Sequence, residues 1–521
     1  MTSRLQHGRL TASLRLLCTG LAAALTLAAC GGGGGSSGAL SSTPVSTTPN
    51  NTAADPDIAT LGEAFDTYWN KCAKPRTGID PYTKKPYPDT QGTLRDELTF
   101  LRAWSNQYYL WYNEIPTDFK MADFTNPVDY FDKLMSPRDK DMYHFTYPTA
   151  EWDKLTNSGI ELGYGITWSS AGPTAPRNWT VALVEPGSPA AASGLRRGDV
   201  LTNIDGVDFV NASDKPSVDK INAGLFPETA GQSHSLTFRR AGTDIVATMQ
   251  AQDVAVAPVK FTRVIDTPTG KVGYLSFESH NAVSERQLID AITTLKTAGV
   301  SDLVLDLRYN GGGLLNIASE LSYMIAGPAT QGKIFERLQY NDKIEASQTP
   351  QIIRFDSKAY GFPAGAGTVA AGTVLPTLNL NRVTVLTTSG SCSASESVIN
   401  GLRGVDVQVN VIGATTCGKP YGFTPVPNCG TTYFSVEFQG VNAKGFGDYA
   451  NGIAPTCTVA DDLAHDLGST DEALLASALS YRATGVCAAQ ARSSAQAMAL
   501  SAQQVPVRSK ASQIAIHVRP R

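Results

Sequence analysis

A chain of 521 residues exceeds what one hydrophobic core supports, so two or three domains are expected. Its 42% hydrophobic and 17% charged residues exclude a disordered or membrane-embedded chain. A formal net charge of -4, without any motif of that class, gives no reason to expect a nucleic-acid partner.

In chain order, Arg4, Arg9 and Arg15 precede an apolar stretch, residues 16–29, that is too short to span a bilayer as a stable helix. It ends in Leu27-Ala28-Ala29-Cys30, which resembles a bacterial lipoprotein cleavage site. The resemblance implies a signal peptide over residues 1–29 and lipidation of Cys30. Plain secretion with cleavage nearby is the competing reading. Gly31 after the cysteine favours, by the same resemblance, the outer membrane of a Gram-negative cell, facing the periplasm. Several acyl chains anchor stably where one does not. Residues 30–59 are Gly/Ser/Thr/Pro-rich and read as a flexible tether.

Residues 60–155 are expected to form a helical N-terminal subdomain. Leu94, Leu98, Leu101 and Tyr108 recur at helical spacing. Trp104, Tyr109, Trp111 and Tyr112 read as core and inter-domain packing, with a ligand-binding face as the alternative.

Residues 156–257 show short alternating apolar runs and turn signals, as a β-rich domain does. In residues 187–206, GSPAAASGLRRGDVLTNIDG, a short helix follows Pro189, and Gly194 and Gly198 shape turns. Residues 200–204 alternate as a strand before an Asp205-Gly206 turn. This region resembles a PDZ domain, with Gly163, Tyr164, Gly165 and Ile166 at the place of that family's carboxylate-binding loop. Backbone N–H groups there would hold a C-terminal carboxylate while the peptide adds a strand to the sheet edge. A β domain that only spaces its neighbours is the alternative.

Residues 258–487 alternate between strands and helices. Buried strands are expected over 272–275, 302–307, 383–387 and 407–412, with helices over 284–299, 314–327 and 395–403. This α/β pattern predicts a mixed or largely parallel sheet covered by helices. Residues 488–521, Ala/Gln/Ser-rich and without acids, read as a disordered tail, with a short amphipathic helix as the alternative.

Six cysteines remain beyond Cys18 and Cys30: Cys72, Cys392, Cys417, Cys429, Cys457 and Cys487. An oxidising compartment favours disulfides, and proximity in sequence suggests Cys417 with Cys429 and Cys457 with Cys487. No CxxC or His-rich spacing supports a metal site.

The chemistry concentrates in residues 383–422, where a strand, a small-residue turn and a helix place Ser391 or Ser393 at a helix N-terminus. A serine nucleophile needs a base, and the basic residue nearby is Lys419, which must be neutral to accept a proton. The loop Gly311-Gly312-Gly313 lacks phosphate-loop spacing. Asp306 and Arg308 read as a structural pair, and His144 and His465 as loop or surface residues. His280 is the candidate for a histidine base.

Residues 393–396 (SASE), Gly418-Lys419 and residues 305–313 (LDLRYNGGG) resemble the hallmarks of the tail-specific, or carboxyl-terminal processing, serine peptidases with a PDZ domain. The run from Phe438 to Leu463 resembles one bacterial branch of them. The resemblance implies a crotonase-like peptidase domain, with Ser393 as nucleophile and Lys419 as base. It also implies an oxyanion hole of the Ala394 amide with that of Gly312 or Gly313. No metal or organic cofactor is implied. The partners are protein or peptide substrates recruited by the PDZ-like domain. The family often has a glutamine four residues after the lysine, and here the run is Gly418-Lys419-Pro420-Tyr421-Gly422-Phe423; Glu396 is the alternative third member. A non-catalytic PDZ scaffold and a Ser393/His280 peptidase are the rival readings.

Overall fold

The computed structural model describes residues 65–487, apart from 82, 138–140 and 348, together with 505–507. The expected signal peptide, Cys30 and tether, and most of the expected tail, lie outside the described residues. No described helix is long and apolar enough to cross a membrane.

Helix Leu94–Tyr108 starts at a reciprocal cap: Asp96 N donates to Thr93 Oγ1 at 3.2 Å and Thr93 N to Asp96 Oδ2 at 2.8 Å. Its apolar face buries Leu98, Leu101 and Trp104 against Phe100, Tyr109 and Phe131. The neighbouring aromatics pack against later parts of the chain. Trp111 meets Tyr421 edge-on at 5.0 Å, and Lys343 Nζ lies 3.6 Å over the Tyr112 ring. Strand Phe145–Pro148 pairs antiparallel with Thr431–Phe434, so the N-terminal region and the C-terminal third share a sheet. His144, expected as a loop or surface residue, lies in a loop but is buried. Its ring stacks on Phe131 at 3.8 Å and its Nε2 lies 2.8 Å from Phe131 O.

The second region is an antiparallel sheet in the order Thr243–Gln250, Ser233–Arg240, Val200–Ile204, Trp179–Val184, Ile166–Ser170. Helix Lys215–Leu225, capped by Asp214, covers it, and the short helix expected after Pro189 is Pro189–Ala192. Strand Val505–Val507 extends this sheet beyond Ile166–Ser170.

The third region is built on strands Val259–Thr267, Gly270–Phe277, Asp302–Asp306, Arg382–Thr387, Gln408–Gly413 and Cys457–Thr458. The first pair is antiparallel and the later pairs are parallel, giving the mixed sheet expected. Period-two alternation sends Leu303, Leu305, Val383, Val385 and Val411 to one face and Val304, Leu386 and Ile412 to the other. Helices Ser284–Thr297, Leu315–Ala326 and Ala394–Gly404 cover the first face, and Ala473–Thr484 the second. Each fully buried Leu contributes about 1.5–3 kcal/mol.

At the carboxyl end of Asp302–Asp306, the buried Arg308 pairs with Asp306 (2.8 Å), Asp461 (2.9 Å) and Glu472 (2.8 Å). Arg197, from the PDZ-like region, reaches the same Asp461 at 3.0 Å and the Tyr309 hydroxyl at 2.7 Å.

The disulfides are Cys72–Cys429, Cys392–Cys417 and Cys457–Cys487. The expected Cys417–Cys429 pair is therefore corrected. Cys417 lies beside the turn that carries Cys392, and Cys429 closes onto Cys72 beside the sheet shared by the two regions.

Candidate active site

Strand Arg382–Thr387 runs through a turn of small residues into helix Ala394–Gly404. The sharp change of direction leaves Ser393 at φ 55° and ψ -115°, a conformation that costs a non-glycine residue roughly 1–3 kcal/mol and persists only where its surroundings enforce it. Cys392 N donates to Asn310 O at 3.1 Å, and Ser393 N to Glu396 Oε2 at 2.9 Å. The two neighbouring serines are committed elsewhere. Ser391 Oγ donates to Leu307 O at 2.8 Å and Ser395 Oγ to Asn310 O at 2.9 Å, both fully buried. Ser393 lines a cavity of about 600 Å³ instead.

Lys419 lines the same cavity and is almost wholly buried. Burial pushes its amine down to about 8, against the opposing charges of Asp141 and Glu396. Its Nζ lies 4.2 Å over the Phe423 ring and 4.8 Å over that of Tyr143. Phe423 stands four residues after the lysine, where the resembled family often has glutamine, so an aromatic face replaces a carboxamide beside the ammonium. Among the described residues no hydrogen bond joins Lys419 Nζ to Ser393 Oγ; both groups face one cavity.

Glu396 connects the two segments through their backbones. Its carboxylate accepts from Ser393 N, Gly418 N and Lys419 N, each at 2.9 Å, and from Thr416 Oγ1 at 2.5 Å. Burial raises its carboxyl, and these donors pull it back. The carboxylate thus fixes where the Lys419 backbone lies, while the ammonium packs on aromatic rings. The Cys392–Cys417 disulfide spans the same two segments. Cys392, Glu396 and Cys417 place potential ligand atoms within 4.8 Å of one another, but sulfurs joined in a disulfide offer no thiolate to a metal.

The glycine loop packs directly on the nucleophile. A Cβ on Gly312 (φ 103°) would lie 2.8 Å from both Ser393 Cβ and Cys392 O. The Gly312 amide, however, donates to Asn310 Oδ1 at 2.9 Å, so of the two glycines expected at an oxyanion hole it is the one already engaged. The Gly313 and Ala394 amides donate to no described residue. Asn310, which sequence reasoning missed, organises the loop. Its Nδ2 donates to Phe277 O at 3.1 Å, and its Oδ1 lies 3.0 Å from His280 Nδ1. With the amide oriented in this way, His280 Nδ1 must be the donor and Nε2 a bare acceptor. That Nε2 is buried without a hydrogen-bond partner, and burial lowers the ring to about 4. The Asn-Gly-Gly-Gly run was the one sequence signal that pointed toward Asn310. Tyr143 left none, because it approaches Lys419 only through the fold.

At Gly163-Tyr164-Gly165-Ile166, φ is 156° at Gly163 and 76° at Gly165, where a Cβ would lie 2.4 Å from that of Ser188. The loop opens on a second cavity, about 870 Å³, lined also by Leu225, Phe226 and Lys154.

The chain matches three family models: the peptidase family S41 domain over residues 271–459, the peptidase S41 N-terminal domain over 99–147 and a PDZ domain over 180–221. It is 31% identical over 144 residues to a carboxyl-terminal-processing protease of Picosynechococcus, covering 27% of this chain and 33% of that protein. It is 26% identical to the chloroplastic carboxyl-terminal-processing peptidase 2 of Arabidopsis thaliana, covering 43% and 47%. It is 24% identical to a probable CtpA-like serine protease of Staphylococcus aureus, covering 61% and 57%. The chain thus spans between a third and somewhat over half the length of these curated relatives. The crystal structure of a putative S41 protease from Bacteroides fragilis superposes with a TM-score of 0.57 at 25% identity, over 77% of this chain and 98% of that one. With N-terminal, PDZ and peptidase domains matched in that order along one sequence, the chain belongs to peptidase family S41.

Proposed function

We propose that the protein is a serine endopeptidase that cuts exported proteins or peptides, with Ser393 as nucleophile and Lys419 as general base. The observation that carries this reading is the strained Ser393, held in one cavity with a buried lysine and against a glycine loop. Neutral Lys419 takes the hydroxyl proton as Ser393 Oγ bonds to the scissile carbonyl carbon. The Ala394 and Gly313 amides donate to the oxyanion. Collapse breaks the C–N bond, and the leaving amine takes the proton from Lys419. Water then attacks the ester and gives its proton to Lys419, which returns it to Ser393 Oγ as the acyl C–O bond breaks. The PDZ domain recruits a substrate C-terminus or an unfolded segment.

Because the free base is the reactive form, and burial brings it within reach near pH 8, kcat/KM is expected to rise about tenfold per pH unit below 8 and to level above it. Cleavage of a disordered protein with an apolar C-terminus across pH 6–10 tests this, with Lys419→Met abolishing turnover. A profile flat from pH 6, or an active Lys419→Met variant, sinks the lysine assignment. A second reading, with His280 as base, is favoured by its unpartnered, unprotonated Nε2. It requires His280→Gln to lose activity while Lys419→Met keeps it.

We place the enzyme at the outer membrane, anchored through lipid on Cys30. Cys30→Ser is expected to move it from the membrane to the soluble fraction. Retention at the membrane refutes the anchor.

A further inference from the structure

We propose that residues 505–507 are a tethered occupant of the chain's own PDZ domain, which an incoming substrate C-terminus must displace. The proposal rests on the reading of that domain as the recruiting module. Strand Ile166–Ser170 is where this antiparallel sheet would otherwise end, and an open strand edge pairs with whatever extended chain reaches it. Here it pairs antiparallel with Val505–Val507: Val505 opposite Ser170, Pro506 opposite Ser169 and Val507 opposite Trp168.

The added strand runs toward the loop Gly163-Tyr164-Gly165-Ile166, the direction a C-terminal ligand takes when its carboxylate meets loop amides. Val507 is fully buried in the same core as Ile166, Trp168 and Leu225. Backbone pairing and an apolar anchor are the two elements of strand-addition recognition, and one segment supplies both. Pro506 suits the role, because a sheet accepts proline only on an outer strand.

The segment is also an incomplete ligand. The chain continues past Val507 to Arg521, so no terminal carboxylate stands at this position. It gives up the charged contact a true C-terminus makes and relies on being covalently joined to its site. Taking an effective concentration on the order of 1 mM and an intrinsic Kd of about 0.1 mM, such a segment weakens apparent binding of a free peptide by roughly tenfold.

The test uses the full chain and its Val507→Asp variant, with a fluorescent decapeptide ending in an apolar residue and a free carboxylate as probe. Hydrogen exchange at the amides of residues 166–170 is followed in parallel. The expected result is exchange faster in the variant, probe binding about tenfold tighter, and both effects reversed by a synthetic peptide of residues 500–512. Equal exchange and equal probe affinity in the two chains overturn the proposal while leaving recruitment intact. A probe that binds neither chain, with exchange still faster in the variant, upholds the occupant and refutes recruitment. Faster exchange that the synthetic peptide fails to reverse assigns the effect to damage of the PDZ core and also overturns the proposal.

Discussion

Ser393→Ala is expected to reduce kcat by roughly 10⁴–10⁶-fold while leaving the melting temperature unchanged or slightly raised. A nucleophile has no substitute when the covalent intermediate is the route, and what survives its removal is the catalysis of binding and oxyanion stabilisation alone. Alanine leaves the strain at φ 55° in place, so the sign on stability rests on what the hydroxyl does. Ser393 occupies φ 55°, and its Oγ faces a cavity, so the Oγ holds little of the fold together. Ser391→Ala and Ser395→Ala are the informative controls. Their hydroxyls each satisfy a buried carbonyl, so they are expected to lose about 1–3 kcal/mol of stability and only a secondary share of activity. Cleavage of the disordered substrate by each variant, with thermal denaturation alongside, decides the matter. Undiminished turnover by Ser393→Ala removes the proposed chemistry.

Arg308→Met is expected to cost about 3–5 kcal/mol, the largest stability loss of any single change considered for this protein. The guanidinium lies among Asp306, Asp461 and Glu472, with each of these side chains at most 6% exposed. Methionine keeps an unbranched apolar stem, though a shorter one, and leaves three carboxylates facing one another without their principal counter-charge. Arg197 still serves Asp461, and the Tyr274 hydroxyl still donates to Asp306 at 2.7 Å. Neither reaches Glu472. The pH dependence follows from the sign of the shift. The Arg197 and Arg308 charges hold the Asp461 carboxyl below its ordinary value against its burial, so losing Arg308 lets the folded variant protonate it more readily than wild type does. The folded variant then binds more protons, so its deficit against wild type shrinks as pH falls toward 5 and grows as pH rises. Denaturant unfolding at pH 5 and pH 8 measures both values, and a deficit that is small or independent of pH contradicts the argument.

The elements legible in the sequence were those whose signal is local. The helix expected over 395–403 is Ala394–Gly404, and the strand expected over 302–307 is Asp302–Asp306, because residues alternating between two apolar faces declare themselves within a few positions. The Ala-Ser-Glu that follows it singles out Ser393 from its neighbours in the sequence; the physical difference is that Ser391 and Ser395 donate to carbonyls while Ser393 lines a cavity. Illegible features were those decided by distant parts of the chain. His144 sits in a loop, yet Phe131 covers its ring. Cys429 is twelve positions from Cys417 in the sequence but bonds a residue 357 positions away. Glu396 reads from the sequence as a partner for the lysine, but a four-residue motif does not disclose its reach to three backbone amides on two segments.

The link between Cys72 and Cys429 has a consequence for the order of assembly. A chain is made from its N-terminus, so Cys72 exists long before its partner does, and strand Phe145–Pro148 waits as long for Thr431–Phe434. Until then the aromatic-rich first region has neither its cross-link nor its neighbouring strand. The residues that complete it, 429–434, follow both Ser393 and Lys419. A chain interrupted before them leaves its first region unfinished as well as its last. The quality-control machinery of the cell therefore meets such a product as one incompletely folded body, with no finished N-terminal part to stabilise it.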